Sequence, residues 1–241
     1  MRPSGIIFAA LDCDAELIEA WNRWYDLEHT PPNVMLEGVM LSNRYVAPPA
    51  LHAARHCAEG SPFAGGRATF VTVYTLTGDP QIAFDDMSSL RERLIETGRM
   101  DFPEDRKAVR EGDCFETVEA FVSAPTKLVA DDVPFVGHTG IVLRQRRGGS
   151  DVALERASRL ADVEGVHGVW TLTSRLRAGI DLDIVFVEGD AGDMAGNLRE
   201  IEPADPSTEV LVDAPYDRIS PMHYPWAESI RGSDLPATVA L

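Results

Sequence analysis

Three short stretches of this chain occur twice, in the same order, and that duplication limits the folds open to it more than any other feature. Leu36-Glu37-Gly38-Val39 returns as Val163-Glu164-Gly165-Val166. Thr77-Gly78-Asp79, after the apolar run Phe70 to Leu76, returns as Glu188-Gly189-Asp190 after Ile184 to Val187. The clearest match is Glu119-Ala120-Phe121-Val122-Ser123-Ala124-Pro125 with Glu209-Val210-Leu211-Val212-Asp213-Ala214-Pro215. The boundary then falls near Thr126 to Pro134. Residues 1–126 form a first repeat, 134–220 a second and degenerate one, and 221–241 a C-terminal tail.

Periodicity says what each repeat is. In the first, Gly5 to Leu11 reads as a strand, Asp14 to His29 as a helix, Gly38 to Val46 and Ala68 to Thr77 as strands, Pro80 to Thr97 as a helix and Cys114 to Ser123 as a strand. The second repeats this order with Gly137 to Leu143, Asp151 to Ala161, Gly165 to Leu176, Leu182 to Val187, Asp190 to Arg199 and Glu209 to Val212. The order β-α-β-β-α-β is the ferredoxin-like plait, so the fold class is α+β with two tandem copies. The first copy alone carries long connections, Ala47 to Arg67 and Arg99 to Asp113, and long connections in compact domains are often functional. Pro221-Met222-His223-Tyr224-Pro225-Trp226 is too aromatic for a solvated tail and is expected to pack back; beyond Gly232 the chain is expected to fray.

Charge narrows the function. Asp and Glu number 39 against 22 Lys and Arg, a net charge of −17. That repels a phosphate backbone, and the densest basic cluster, Arg144, Arg146 and Arg147, is too small to reverse it, so no nucleic acid is expected. No apolar run reaches the roughly 20 residues of a membrane helix, and Ile6 to Leu11 is too short for a leader; no membrane partner and a cytoplasmic location are expected. Cys13, Cys57 and Cys114 form no CxxC pair and read as reduced thiols. With no Gly-rich phosphate loop and no Gly-x-Ser-x-Gly elbow, no cofactor is expected.

The densest chemistry lies at the end of the first helix. At about 100° per residue, Trp21, Trp24, Tyr25 and Glu28 share the face of Leu17, with His29 on its flank. A carboxylate on an apolar face near a helix C-terminus has a raised pKa, and the imidazole beside it titrates near neutrality; both suit acid/base work. The competing reading is structural: His29 caps the helix and Glu28 pairs with an arginine such as Arg44. Pro31-Pro32 reads as the helix stop.

Trp24-Tyr25-Asp26-Leu27-Glu28-His29-Thr30-Pro31, followed by Leu36-Glu37-Gly38-Val39 and Asn43-Arg44-Tyr45, resembles the W-Y-x-x-E-H-x-P, P-G and R-Y pattern of EthD-like members of the dimeric α+β barrel superfamily. Val73-Tyr74-Thr75-Leu76 resembles that family's following strand. The likeness covers about 110 residues of the first repeat, and the second has no counterpart of W-Y-x-x-E-H. It implies that the two plaits close an intramolecular barrel, with helices outside and a ligand cavity inside. It further implies His29 as acid/base, Glu28 as its orienter or a second carboxyl, Trp24 and Tyr25 as cavity wall, and Arg44 and Tyr74 as polar anchors.

The expected function is cofactor-independent proton-transfer chemistry, of the lyase, decarboxylase or isomerase type, on a small cyclic or aromatic molecule. An oxygen-dependent monooxygenase or haem enzyme of the same superfamily is the second reading, and a non-catalytic binding barrel the third. His52 and His56, four apart beside Cys57, are a possible metal pair, although a lid helix over the cavity mouth is the favoured reading; no metal is expected. His138 and His167 read as packing residues that become a second acid/base group or a haem ligand if they face the barrel. A homodimer remains compatible with the barrel's outer strand edges.

Overall fold

The computed structural model describes residues 2–100, 102–148, 150–201 and 206–235. The tail beyond Leu235 lies outside the described residues, and with it most of the segment expected to fray.

Among the described residues nine strands form one sheet: β1 (Gly5–Cys13), β2 (Val39–Val46), β3 (His56–Cys57), β4 (Phe70–Leu76), β5 (Lys107–Val122), β6 (Gly140–Gly148), β7 (Val166–Ser174), β8 (Ile180–Val187) and β9 (Thr208–Arg218). Their order is β2-β4-β1-β5-β7-β8-β6-β9-β3, and a further pairing of β2 with β9 closes the ring. This is an α+β barrel made from two ferredoxin-like repeats in one chain. The main helices are α1 (Ile18–Trp24), α2 (Thr30–Val34), α3 (Pro49–Ala53), α4 (Pro80–Glu96), α5 (Ser150–Ala161), α6 (Ala191–Ile201) and α7 (Ala227–Arg231). No helix among the described residues is long and apolar enough to cross a membrane.

The duplication is visible in the hydrogen bonds. Gly38 and Gly165 both adopt left-handed backbone, at φ of 85° and 84°, a conformation that costs glycine little. Each carbonyl then receives the amide just past the strand that pairs with the one it precedes, Thr77 N (after β4) to Gly38 O at 2.7 Å and Glu188 N (after β8) to Gly165 O at 2.8 Å. The third sequence match is out of register. Phe115 lies opposite Ile6 as Tyr216 lies opposite Ile141, so Tyr216 is the counterpart of Phe115 and not of a residue near Pro125. The two seams of the ring correspond as well: β5 pairs with β7 over seven residue pairs, whereas β9 meets β2 over two and β3 over two more.

Alternation along β1 separates two layers. Ile6, Phe8 and Ala10 face the barrel interior, where Phe8 meets the Phe115 ring edge-on at 6.1 Å and stacks on Phe63 at 6.4 Å. Phe63 comes from the Ala47–Arg67 connection, which therefore fills the barrel rather than shielding a site. The same connection is pinned by Asp12, which accepts from Ala68 N at 3.0 Å and Thr69 N at 2.8 Å, and by Tyr216, whose hydroxyl donates to Ala68 O at 2.7 Å. Ile7, Ala9 and Leu11 face the helices. At the start of this strand a Cβ on Gly5 would overlap the Phe115 carbonyl oxygen. Gly5→Ala is expected to cost about 1–3 kcal/mol, measured as a lower urea midpoint; an unchanged midpoint contradicts so close an approach of β1 to β5.

Candidate functional site

The first helix does not stop at Pro31-Pro32. After Trp24 it widens into a single π turn over Tyr25–His29 and continues as α2, with the prolines in its first turn. Pro31 and Pro32 have no N–H to give the carbonyls of Leu27 and Glu28, and their rings crowd those carbonyls; the wide turn relieves the conflict. Arg44, from β2, enters beside the same turn, its Nη1 3.4 Å from the Asn22 carbonyl and its Nη2 donating to Asn22 Oδ1 at 2.5 Å. A turn closed i to i+5 lags the helical register. His29 therefore swings inward, its ring 5.0 Å from Trp24 and 4.3 Å from Tyr25, and Glu28 swings out.

The result is a cavity of about 430 Å³ between the sheet and the helices of the first repeat. Three regular patterns supply its walls. Ile7, Ala9 and Leu11 come from alternate positions of β1; Phe84, Met87, Ser88 and Arg91 from one face of α4; and Trp21, Trp24 and Tyr25 from one face of the first helix. Asp79 sets the start of α4 by accepting from Gln81 N at 2.8 Å. Met100, Glu104 and Lys107 arrive from the connection into β5. The resemblance placed the cavity inside the barrel, and the structure places it outside the barrel wall, because the interior is filled by large side chains including Phe8, Tyr45, Phe115 and Tyr216.

Of the residues expected in the site, Trp24, Tyr25 and His29 come together on this cavity, and three others do not line it. Glu28 is exposed and borders a separate depression with Leu27, Pro31, Pro32, Met35 and Arg99; the expected apolar setting is corrected by the π turn. Arg44 stands behind the wall, not in it. Its Nη1 donates to Asp26 Oδ1 at 2.7 Å and its guanidinium lies 4.1 Å over the Tyr25 ring, so it holds Tyr25 rather than a ligand. The structural alternative was right about an arginine pair and wrong about its carboxylate, which is Asp26. Tyr74 is buried beside Ile7 and next to Tyr25 and Asn33; burial raises its pKa well above the ordinary phenol value.

The contacts of His29 favour one tautomer. Its Nδ1 lies 3.2 Å from Met100 Sδ, and since a thioether only accepts, this contact is a hydrogen bond in the Nδ1-protonated form, which leaves Nε2 its lone pair. Burial, followed by the nearby charges of Arg44, Lys107 and Arg91, pushes its pKa down to about 3. The imidazole is neutral at pH 7.

The remaining histidines lie elsewhere. His52 ends α3, with Arg55 Nη1 2.9 Å from its Nδ1, whereas His56 stands on β3; the two do not share a helix face, and α3 packs on β9 and α6 rather than over the cavity. Among the described residues no group of three or more His, Cys, Asp or Glu could hold a metal. His138 precedes β6, its Nδ1 donating to Val136 O at 2.7 Å and its Nε2 3.0 Å from the Tyr45 hydroxyl. His167 Nε2 is 3.7 Å from Glu188.

Sequence reasoning missed Lys107, Arg91, Met87 and Phe84. The helical spacing of Phe84, Met87 and Arg91 shows that they share a face, but nothing local to α4 says that this face meets Trp24 and His29.

No known family pattern matches the sequence, and no curated protein matches it. Among solved structures, a chlorite dismutase-like protein is similar over 96% of this chain and 99% of its own, at 11% identity and a TM-score of 0.54. A monooxygenase-like protein from Lactobacillus acidophilus is similar over 90% of this chain and 94% of its own, at 11% identity and a TM-score of 0.44. For an anthrone oxidase-like protein the values are 91%, 94%, 9% and 0.45. The first of these likenesses shows the shared α+β barrel fold and nothing of activity.

Proposed function

We propose that this chain is an EthD-like enzyme that removes a proton from a small cyclic or aromatic molecule bound between the sheet and the helices of the first repeat, with His29 as the base. The observation that carries this reading is a neutral imidazole on the wall of an aromatic cavity. Ligand sites are concave, largely apolar and furnished with few polar groups, as this one is. Trp21, Trp24 and Tyr25 offer ring faces that hold a planar substrate and keep water away. His29 Nε2 then takes the proton, and the imidazolium forms beside the anion it creates, each stabilising the other. Return of the proton at another carbon makes an isomerase; expulsion of a leaving group makes a lyase.

Oxygen-dependent oxidation starts from the same deprotonated substrate, since electron-rich carbanions and phenolates are the species that react with dioxygen. The same cavity therefore supports it, and oxygen uptake separates the two. Haem fits less well. A haem needs a ligand facing a ring-sized space, and in the second repeat the corresponding layer is occupied by ion pairs of Arg144 with Asp213 and of Arg146 and Arg156 with Asp183.

The test is deuterium uptake from heavy water into a panel of small aromatic and cyclic ketones, lactones and acids, with oxygen consumption recorded in parallel. His29→Gln is expected to lower exchange or turnover by at least about 100-fold while leaving the unfolding midpoint near that of the parent. Full activity in the variant contradicts His29 as the base, and no exchange or turnover by the parent chain leaves a binding barrel.

A further inference from the structure

The mouth of the cavity carries a charge arrangement that aromatic packing does not require. Lys107 has only a small part of its side chain exposed, and its ammonium lies 5.0 Å over the Trp24 ring. Two of its three donors are used, one to Phe102 O at 3.2 Å and one to Glu104 Oε1 at 2.9 Å. Arg91 donates to the same Glu104 oxygen at 3.2 Å. Glu104 belongs to the short turn Glu104–Arg106, and its side chain is 60% exposed. Two cations from different elements thus converge on one exposed carboxylate oxygen at the rim of a cavity that all three residues line. In a chain of net charge −17 such a convergence of cations beside an aromatic cavity is a local reversal of sign.

We propose that the site takes a planar aromatic or cyclic anion whose carboxylate, or equivalent oxyanion, replaces the Glu104 side chain between Lys107 and Arg91 while its ring enters among Trp21, Trp24 and Tyr25. This rests on the cavity being the ligand site. Glu104 acts as an internal stand-in that keeps the two cations paired when no ligand is present and swings into solvent when one arrives, and its exposure makes that movement cheap. The same two cations help to keep His29 unprotonated, so an anion bound between them also relieves the penalty on an imidazolium and strengthens His29 as a base.

The test compares two probes of one shape, 2-naphthoate and the neutral 2-naphthamide, by quenching of tryptophan fluorescence at fixed ionic strength. Naphthoate is expected to bind about tenfold more tightly than the amide. Lys107→Met, which keeps an apolar stem, is expected to abolish that preference. Glu104→Gln, at an exposed position with little bearing on folding, is expected to shift it the other way and tighten naphthoate binding several-fold without changing amide binding. Equal affinity for the two probes in the parent chain, or a Glu104→Gln variant that does not favour the anion, overturns the proposal while leaving the cavity as the site. Failure of both probes to bind overturns it together with the cavity's assignment, and loss of His29 function bears on catalysis alone.

Discussion

Asp26→Ala is expected to destabilise the fold by about 3–5 kcal/mol, because it strips one partner from a buried ion pair and leaves the other charged. Asp26 is a junction of three parts of the chain. Its Oδ1 accepts from Arg44 at 2.7 Å, and its Oδ2 accepts from Met222 N at 2.8 Å and from the Tyr224 hydroxyl at 2.5 Å. The side chains of both Asp26 and Arg44 are only 6% exposed. Loss of the carboxylate leaves the guanidinium with Asn22 as its hydrogen-bond partner and with no countercharge, and unties the segment that carries Trp226 onto Phe70, where the rings lie 5.6 Å apart. A double variant, Asp26→Ala with Arg44→Met, is expected to lose less than the two single variants added together, since it removes the stranded charge as well. Urea unfolding of the three variants measures this. A single-variant loss below about 1 kcal/mol, the range of exposed pairs, contradicts the buried junction.

Acid is expected to weaken the protein well above the range where most carboxylates titrate. Burial, as the leading cause, lowers the pKa of His29 and His52 to about 3 and that of His138 to about 4, from the ordinary imidazole value of 6.5. As the pH falls through 6.5 the unfolded chain takes up protons at these positions and the folded chain does not. Stability is therefore complete above about 6.5 and is lost as the pH falls toward 4 and 3. By pH 5 the three histidines together remove on the order of a few kcal/mol, against a total of about 5–15 kcal/mol for a typical domain. Glu111 and Asp217 have pKa values raised by burial; they bind protons more readily folded than unfolded and soften the loss at the acid end. The urea midpoint is expected to fall steeply from pH 7 to pH 5, and replacement of His138 by Asn to flatten the slope by roughly a third of the histidine contribution. A midpoint that stays level across that interval contradicts the enclosure of these rings.

The fold was largely legible because both of its periodicities are local. Alternation in Gly5 to Leu11 and the helical spacing of Pro80 to Thr97 report burial residue by residue, and the left-handed glycines at 38 and 165 marked equivalent turns. Register was not legible to the same degree. A strand is matched by its own apolar pattern and not by the strand it pairs with, so the match of Glu119–Pro125 with Glu209–Pro215 named the right pair of strands and the wrong partner residues. The site divided along the same line. Trp24, Tyr25 and His29 were recoverable from one helix. Glu28 was misplaced because a regular helix was extended through a π turn whose causes, the proline pair and the entry of Arg44, include a residue from another strand. Lys107 and Arg91 could not be found by spacing at all, since they meet His29 only once β5 and α4 have packed against the first helix.

The first repeat encloses a neutral imidazole whose free nitrogen is Nε2. Long-range proton–nitrogen spectra of the histidine-labelled protein, recorded as the pH is lowered from 8 to 5, test it directly. The His29 ring is expected to keep the shifts of the neutral Nδ1-protonated form throughout that range. A His29 ring that titrates near 6.5, or that carries its proton on Nε2, contradicts a neutral, enclosed imidazole.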